Sequence, residues 1–198
     1  RKESSAASDV YKRQRLIRIR ERTTDLEKIA LTNSLSRKIS NNQLTIDEAK
    51  TELIHLRRAS LQYSFFMNFI AAFVACGFFL FMFGGTASDF WIACLAGGAA
   101  FLTFSFVQKY IQIKFFSEFV ASAVVISIAA IFTKIGIAKN QDIITIASVM
   151  PLVPGILITN AIRDLLAGEL LAGMSRGVEA ALTAFAIGAG VAIVLLLL

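Results

Sequence analysis

The chain has 198 residues, of which 56% are hydrophobic and 17% are charged, and its 20 Lys and Arg against 14 Asp and Glu give a net charge of +6. Soluble globular domains contain about 45–50% apolar residues, so this composition argues against a soluble protein. The two cysteines, Cys76 and Cys94, lie inside apolar runs, which excludes a disulfide-rich secreted fold and predicts small buried side chains.

The charge is concentrated at the N-terminal end of the chain. Residues 1–60 hold 14 of the 20 basic and 8 of the 14 acidic residues, so they carry the whole net charge of +6, and residues 61–198 are neutral overall. A basic segment before an apolar body is typical of a membrane protein that keeps its Lys and Arg in the cytoplasm. We therefore interpret the charge as a topology signal and predict no nucleic-acid partner.

Residues 1–60 divide into two parts. Residues 1–14 (RKESSAASDVYKRQ) resemble translated sequencing-adapter read-through, so we expect an artefact or a disordered stretch there. Residues 15–60 are predicted to be the incomplete end of a cytoplasmic helical segment. Its two helices, from about Thr24 to Ser40 and from Thr45 to about Arg58, should form a short hairpin.

The second helix of this hairpin carries a start signal. Thr45 and Glu48 have the spacing of a capping box, in which the hydroxyl and the carboxylate satisfy each other's backbone amides. Asn41 and Asn42, which favour turns, separate this helix from the first one. His55 lies on the same basic helix and is predicted to be solvated rather than a ligand.

Five apolar stretches follow, each close to the roughly 20 residues that cross a hydrocarbon core about 30 Å thick. The predicted fold is therefore all-α: a polytopic membrane bundle of five transmembrane helices within residues 61–198, with a short N-terminal cytoplasmic helical hairpin. Glu118 in this bundle is interpreted as the partner of Lys114 in an interfacial pair, and a role as a proton relay stays open. The spans are predicted at residues 63–83, 90–107, 115–133, 143–162 and 177–198.

Five spans place the two ends of the chain on opposite sides of the membrane. If the basic N-terminal segment is cytoplasmic, the loops at residues 108–114 and 163–176 are cytoplasmic as well, and both contain basic residues. Lys134 and Lys139 then lie outside, against the usual bias. We predict a multi-pass protein of the bacterial inner (plasma) membrane with a cytoplasmic N-terminus.

The fourth predicted span is interrupted by the chain's two prolines, Pro151 and Pro154, and by Gly155. Each proline lacks an amide and should free the carbonyl four residues earlier, and Gly155 adds backbone freedom. An unpaired carbonyl is unfavourable against lipid, so the break is expected to face protein or a water-filled cavity. The functional interpretation is a discontinuous helix that lines a substrate site; a proline kink that only shapes packing is the alternative.

Polar side chains follow the break. Thr159 and Asn160 are predicted to contact a solute without burying a charge. Arg163 and Asp164 end the span, and they are interpreted either as a gate or anion-binding pair, or as an interfacial charge pair that stops the helix. Arg176, further along the chain, is another candidate partner for Asp164.

No sequence motif indicates an enzyme. The chain contains no Walker motif, no HExxH, no CxxC pair and no glycine-rich dinucleotide fingerprint, and no recognisable nucleophile is paired with a base. We therefore predict that the protein has no catalytic residue, no metal site and no cofactor.

Two stretches of the chain resemble the threonine/serine exporter family, whose split bacterial members are also described as two-component succinate exporters. The stronger is SVMPLVPGILITNAIRDLLAGELLAG, and the second, NSLSRKISNNQLTIDEAKTEL, is similar to the end of the family's cytoplasmic domain. The resemblance implies a five-helix subunit or half that works with a second small five-helix membrane subunit or as a homo-oligomer. Carried over by motif, it implies substrate-binding roles for Pro151, Pro154, Gly155, Asn160, Arg163, Asp164 and Gly168.

The functional hypothesis is a membrane transporter subunit that exports small carboxylate-bearing solutes by proton-coupled antiport. The solute would be threonine and serine, or a dicarboxylate such as succinate. The expected partners are the lipid bilayer, the solute and the second subunit. A rival hypothesis is a non-transporting membrane scaffold or sensor whose basic cytoplasmic segment binds lipid or a protein partner.

Overall fold

A computed structural model of the chain describes residues 26–41, 43–58, 63–111, 113 and 115–197. All regular secondary structure in these ranges is helical, which confirms the all-α prediction. The prediction for residues 1–14 lies outside the described ranges. The α-helices are α1 (Leu26–Ser40), α2 (Ile46–Arg58), α3 (Phe65–Met82), α4 (Phe90–Tyr110), α5 (Phe116–Lys134), α6 (Gln141–Val149), α7 (Gly155–Leu166) and α8 (Leu170–Leu197), with a 3₁₀ turn at Met150–Leu152.

Helices α1 and α2 pack against each other in a unit of their own. The capping box predicted at the start of α2 is confirmed: the Thr45 amide donates to Glu48 Oε2 at 2.9 Å, and the Glu48 amide donates to Thr45 Oγ1 at 3.4 Å. The hydrogen bond from the Thr45 amide, and then that from its hydroxyl, lower the pKa of Glu48. Leu35 of α1 and Ala49 of α2 are buried, so this unit has a small apolar core.

The second unit contains the candidate membrane spans. Helices α3, α4, α5 and α8 are each long and apolar enough to cross a membrane. The segment Gln141–Leu152, which comprises α6 and the 3₁₀ turn, forms a further candidate span together with α7, and the two parts are bent by 62°. The described part of the chain therefore holds four candidate spans, or five if the bent pair counts as one.

The boundaries between the fourth and fifth predicted spans differ most from the sequence prediction. Helix α8 begins at Leu170 rather than at residue 177, and α7 continues to Leu166. The short helical connector that was expected from residue 163 to residue 176 is thus a turn of three residues, 167–169, between two longer helices. Asp164 and Arg176, on either side of this turn, can lie within helices because they form an ion pair with each other.

Helices α4 and α5 lie in the middle of the membrane unit. Helix α4 packs against α3, α5 and α6, and α5 packs against α4, α6 and α8, while α8 also packs against α7. Small residues allow these helices to approach closely. A side chain added at Gly97 of α4 would collide with Cys76 of α3, and one added at Gly190 of α8 would collide with the Phe119 carbonyl of α5. Cys76 and Cys94 are free and buried, as predicted.

Candidate functional site

The backbone of the fourth span breaks between Leu152 and Gly155. Val153 is extended, with φ −65° and ψ 129°, as expected for a residue whose helical conformation is disfavoured by the ring of a following proline. Pro154 has φ −78° and ψ 55°, and it is the N-cap residue of α7 without a side-chain hydrogen bond to the helix. Pro154 therefore sets the break by acting on the residue before it.

Pro151 has a different role from Pro154. It lies in the 3₁₀ turn, where a missing amide is tolerated, and Met150 before it keeps a helical conformation with φ −49° and ψ −43°. The Met150 carbonyl was predicted to be free, but it accepts a hydrogen bond from the Val153 amide at 3.1 Å. The two prolines thus produce one break, and the carbonyl of Met150 is satisfied within it.

The two halves of the broken span have different surroundings. Helix α6 packs against α3, α4 and α5, whereas α7 packs against α8. Ser148 of α6 is fully buried; its hydroxyl donates to the Ala93 carbonyl of α4 at 3.1 Å, and its carbonyl accepts from Cys76 Sγ of α3 at 3.7 Å. Sequence reasoning missed Ser148, although a hydroxyl close to a proline in an apolar span indicates such a contact. Helix α6 is thereby fixed to two neighbouring helices.

A buried carboxylate holds the start of α6. Asp89, the N-cap residue of α4, is fully buried. Its carboxylate accepts hydrogen bonds from the Lys139 amide at 2.9 Å, Asn140 Nδ2 at 3.3 Å and Thr86 Oγ1 at 3.0 Å. Burial alone would raise the pKa of Asp89, but these hydrogen bonds hold it below its ordinary value. Because Asn140 is the N-cap residue of α6, Asp89 ties the broken span to the turn between α3 and α4.

Helix α7 carries its polar residues in two rows. Gly155, Thr159 and Arg163 are exposed and four residues apart, so they follow one line along the helix, called the polar row below. Thr159 Oγ1 donates to the Gly155 carbonyl at 3.0 Å, and a side chain added at Gly155 would meet open space. Asn160 and Asp164, also one turn apart, are partly buried. The structure thus separates Thr159 and Arg163 from Asn160 and Asp164.

Asp164 forms an ion pair with Arg176 of α8. Arg176, which the sequence offers as a candidate partner of Asp164, is thus the partner that the structure shows, while Arg163 is exposed on the polar row. Close backbone contacts flank the ion pair. A Cβ added at Gly177 of α8 would lie 3.9 Å from Ala161 Cβ of α7, and one added at Gly173 of α8 would collide with the Leu165 side chain of α7.

Gly168 has a structural role in the turn between α7 and α8. Its φ of +86° lies in the left-handed region that favours glycine. The Gly168 amide donates to the Leu165 carbonyl at 3.1 Å, and the Glu169 amide donates to the Asp164 carbonyl at 2.9 Å. This is the hydrogen-bond pattern of a Schellman C-cap. The cap ends α7 and lets α8 start at Leu170, which explains the short connector.

The polar row offers two groups that can bind a carboxylate. The Gly155 amide donates to the Val153 carbonyl at 2.8 Å. Because α7 has no side-chain cap, the amides that follow Gly155 in its first turn are available to an anion at the positive end of the helix dipole, and Arg163 supplies a cation further along. Pro151, Val153 and Gly155 are exposed, so these groups lie on the surface of the chain and not in an enclosed pocket. Within the described ranges, no group of three His, Cys, Asp or Glu side chains is placed to hold a metal ion.

Comparison with models of protein families gives a match over almost the whole chain. The model of the threonine/serine exporter family, ThrE, matches residues 4–198, which include every described helix from α1 to α8 and both stretches that carry the resemblance noted in the sequence. No curated protein and no solved structure matches the chain.

Proposed function

The chain belongs to the threonine/serine exporter family, and from this premise we propose that it exports threonine, serine or a dicarboxylate such as succinate from a bacterial cytoplasm in exchange for protons. Membership of a transporter family, together with four or five candidate spans, makes the chain a multi-pass membrane protein that exports threonine/serine-type solutes. Membership of this family favours a transport function over the scaffold or sensor hypothesis.

The polar row on α7 is the observation that carries the proposal. Gly155, Thr159 and Arg163 are exposed on a helix that is half of a candidate span. A guanidinium and an uncapped helix N-terminus are unfavourable against hydrocarbon, so these groups are expected to face a solute path or a second protein. An unbroken apolar helix would offer a carboxylate neither of them.

The length of the polar row favours a path over a single pocket. Along the helix axis, Arg163 lies about 12 Å from Gly155, which is longer than a threonine or serine molecule. A solute carboxylate would therefore contact the α7 N-terminus and Arg163 in succession, with Thr159 between them. Asn160 and Asp164 would support α7 from the second row.

A second protein is expected to cover the polar row. The exposed break and the exposed Arg163 leave the proposed path open on one side of the chain. Lipid cannot satisfy these groups, whereas polar side chains of another membrane protein can. In this proposal the cover is a separate small five-helix subunit or a second copy of the chain, and both reside in the bacterial inner membrane with the N-terminus in the cytoplasm.

Efflux measurements test the proposal. Cells loaded with labelled threonine, serine or succinate should release at least one of them faster when they express the chain, alone or with the membrane protein encoded next to it, than when they express neither. Gly155→Val should lower this efflux about tenfold or more, because the new side chain fills the open space beside the α7 N-terminus. Gly188→Val is the matched control, since a side chain at Gly188 of α8 also meets open space.

Two results would count against the proposal. If expression accelerates the release of none of the three labelled solutes, the proposed substrates are wrong. If Gly155→Val and Gly188→Val support the same efflux at equal protein levels in the membrane, the polar row is not the solute path.

A further inference from the structure

The two halves of the broken span differ in how firmly they are held. Helix α6 lies among three helices, and buried hydrogen bonds of Ser148 and Asp89 fix both of its ends. Helix α7 packs against α8, and large apolar side chains on its other faces, such as Ile156 and Ile162, are about half exposed. A change of angle at Val153 and Pro154 would therefore move α7 while α6 stays in place.

The contact between α7 and α8 extends along α7 and includes small residues. Ala161 faces Gly177, and the Leu165 side chain lies against Gly173, so the backbones approach closely at these positions. Between membrane helices there is no hydrophobic driving force, and association depends on packing and on polar contacts. The ion pair of Asp164 with Arg176 is a charged contact in this interface, and the Asp164 side chain is only 14% exposed.

We infer that Arg176 is a positioning residue for transport: its ion pair with Asp164 holds α7 against α8, and α7 turns about Val153 and Pro154 when the pair opens. The inference rests on the proposed function, because the polar row would move with α7 from one side of the solute path to the other. Arg176 itself does not contact the solute, because it acts through Asp164.

A reversible cross-link tests whether α7 must move. A Cβ at Gly177 would lie 3.9 Å from Ala161 Cβ, which is within the range of about 3.5–4.5 Å found across disulfides. The variant that combines Ala161→Cys with Gly177→Cys should therefore form a disulfide under mild oxidation. We expect oxidation to stop efflux of labelled threonine and a thiol reductant to restore it. Undiminished efflux from fully oxidised protein would overturn the inference.

Single-cysteine variants are the controls for the cross-link. Ala161→Cys alone and Gly177→Cys alone keep the native Cys76 and Cys94, which are buried and free. Oxidation should leave their efflux unchanged. A loss of efflux in either single variant would show that oxidation acts elsewhere, and the cross-link would then be repeated after replacing both native cysteines with alanine.

The rate of cross-link formation tests the role of Arg176 without any transport measurement. In the double-cysteine protein, Arg176→Gln should slow disulfide formation about two- to fivefold, because α7 spends less time against α8. Exchanging the charges, with Asp164→Arg and Arg176→Asp together, should restore the rate. Glu169→Gln, which neutralises an exposed charge in the adjoining turn, should leave it unchanged.

The outcomes separate the two ideas. If Arg176→Gln cross-links at the parent rate, or if charge exchange fails to rescue a slowed rate, Arg176 does not hold α7 in place. If the reduced parent protein exports none of the labelled solutes, the proposed function fails, while the cross-linking rates still decide whether the ion pair positions α7.

Discussion

At the scale of single residues, Asp89 shows how one side chain can position a distant element. It is fully buried, and two of its hydrogen-bond donors, Lys139 and Asn140, lie some fifty residues further along the chain. A buried carboxylate is unfavourable unless such donors compensate for the water it loses. The same bonds fix the loop from which α6 begins, so Asp89 determines where the fixed half of the broken span starts.

Asp89→Asn should lower the free energy of unfolding by about 1–3 kcal/mol, because the amide turns a donor towards the Lys139 amide or towards Asn140. Thermal unfolding of the purified protein in detergent measures the change. Asp142→Asn, which removes an exposed carboxylate from the first turn of α6, is the control and should have a much smaller effect. Equal losses would mean that net charge matters here and the hydrogen bonds do not.

The pH dependence of this effect follows from the direction of the pKa shift. The folded protein lowers the pKa of Asp89. Its contribution to stability is therefore complete above the unfolded pKa of about 3.9 and is lost as the pH falls through the lower folded value. The difference in stability between the wild type and Asp89→Asn should be constant from about pH 8 to about pH 5, and it should shrink below about pH 4. Shrinkage already near neutral pH would contradict this assignment.

Residue-level features were predictable from the sequence where the interaction is local. The capping box of Thr45 and Glu48 spans three residues and has a recognisable spacing. The contact between Ser148 and the Ala93 carbonyl depends on which helices meet, and no spacing in the sequence encodes that. The different roles of Pro151 and Pro154 depend on a 3₁₀ turn that hydropathy does not reveal.

At the scale of helices, close approach between α5 and α8 depends on Gly190. Its position facing Ser122 and the Phe119 carbonyl leaves no room for a Cβ atom. Two residues earlier on the same helix, Gly188 has open space around it. Replacing each glycine in turn therefore distinguishes the effect of packing from the effect of helix propensity.

Gly190→Ala should destabilise the protein by about 1–3 kcal/mol, because the methyl group collides with backbone atoms that cannot move aside without separating the helices. Gly188→Ala should change stability by no more than about 1 kcal/mol, in the stabilising direction, since alanine is the better helix former. Thermal unfolding in detergent compares the two. Similar stability of both variants would show that α5 and α8 are further apart than described.

The positions of the helices were largely predictable, because long apolar stretches must be helical to cross a membrane. The start of α8 was not predicted, since Arg176 lowers the hydropathy of its first turns. That charge is tolerated within a helix because Asp164 neutralises it. The sequence offers Arg176 as one candidate partner of Asp164, and the packing of α7 on α8 shows that this pairing forms.

At the scale of the whole molecule, the proposed topology assigns each turn to one side of the membrane. With a cytoplasmic N-terminus, the turn between α3 and α4 lies outside, and the turn between α4 and α5 lies inside. Ala87 and Gln108 are exposed residues in or next to these two turns. They are suitable positions for single cysteines, because the native cysteines are buried and should not react.

Ala87→Cys should react with a membrane-impermeant maleimide in intact cells, because it is expected to face the outside. Gln108→Cys should react only after the membrane is permeabilised. Labelling measured by a gel shift or by mass spectrometry distinguishes the two positions. The reverse pattern would place the N-terminus outside, and the basic segment would then lie on the side that the positive-inside rule disfavours.

The length of α8 has a consequence for the bilayer itself. Its 28 residues extend about 42 Å, which exceeds a hydrocarbon core of about 30 Å. Hydrophobic mismatch of this kind is relieved by tilting the helix or by thickening the surrounding lipid. Because α7 is attached to the first turns of α8, a change in lipid chain length would alter the depth of both helices together. The distance of the broken span from the lipid headgroups should therefore differ between membranes of different thickness.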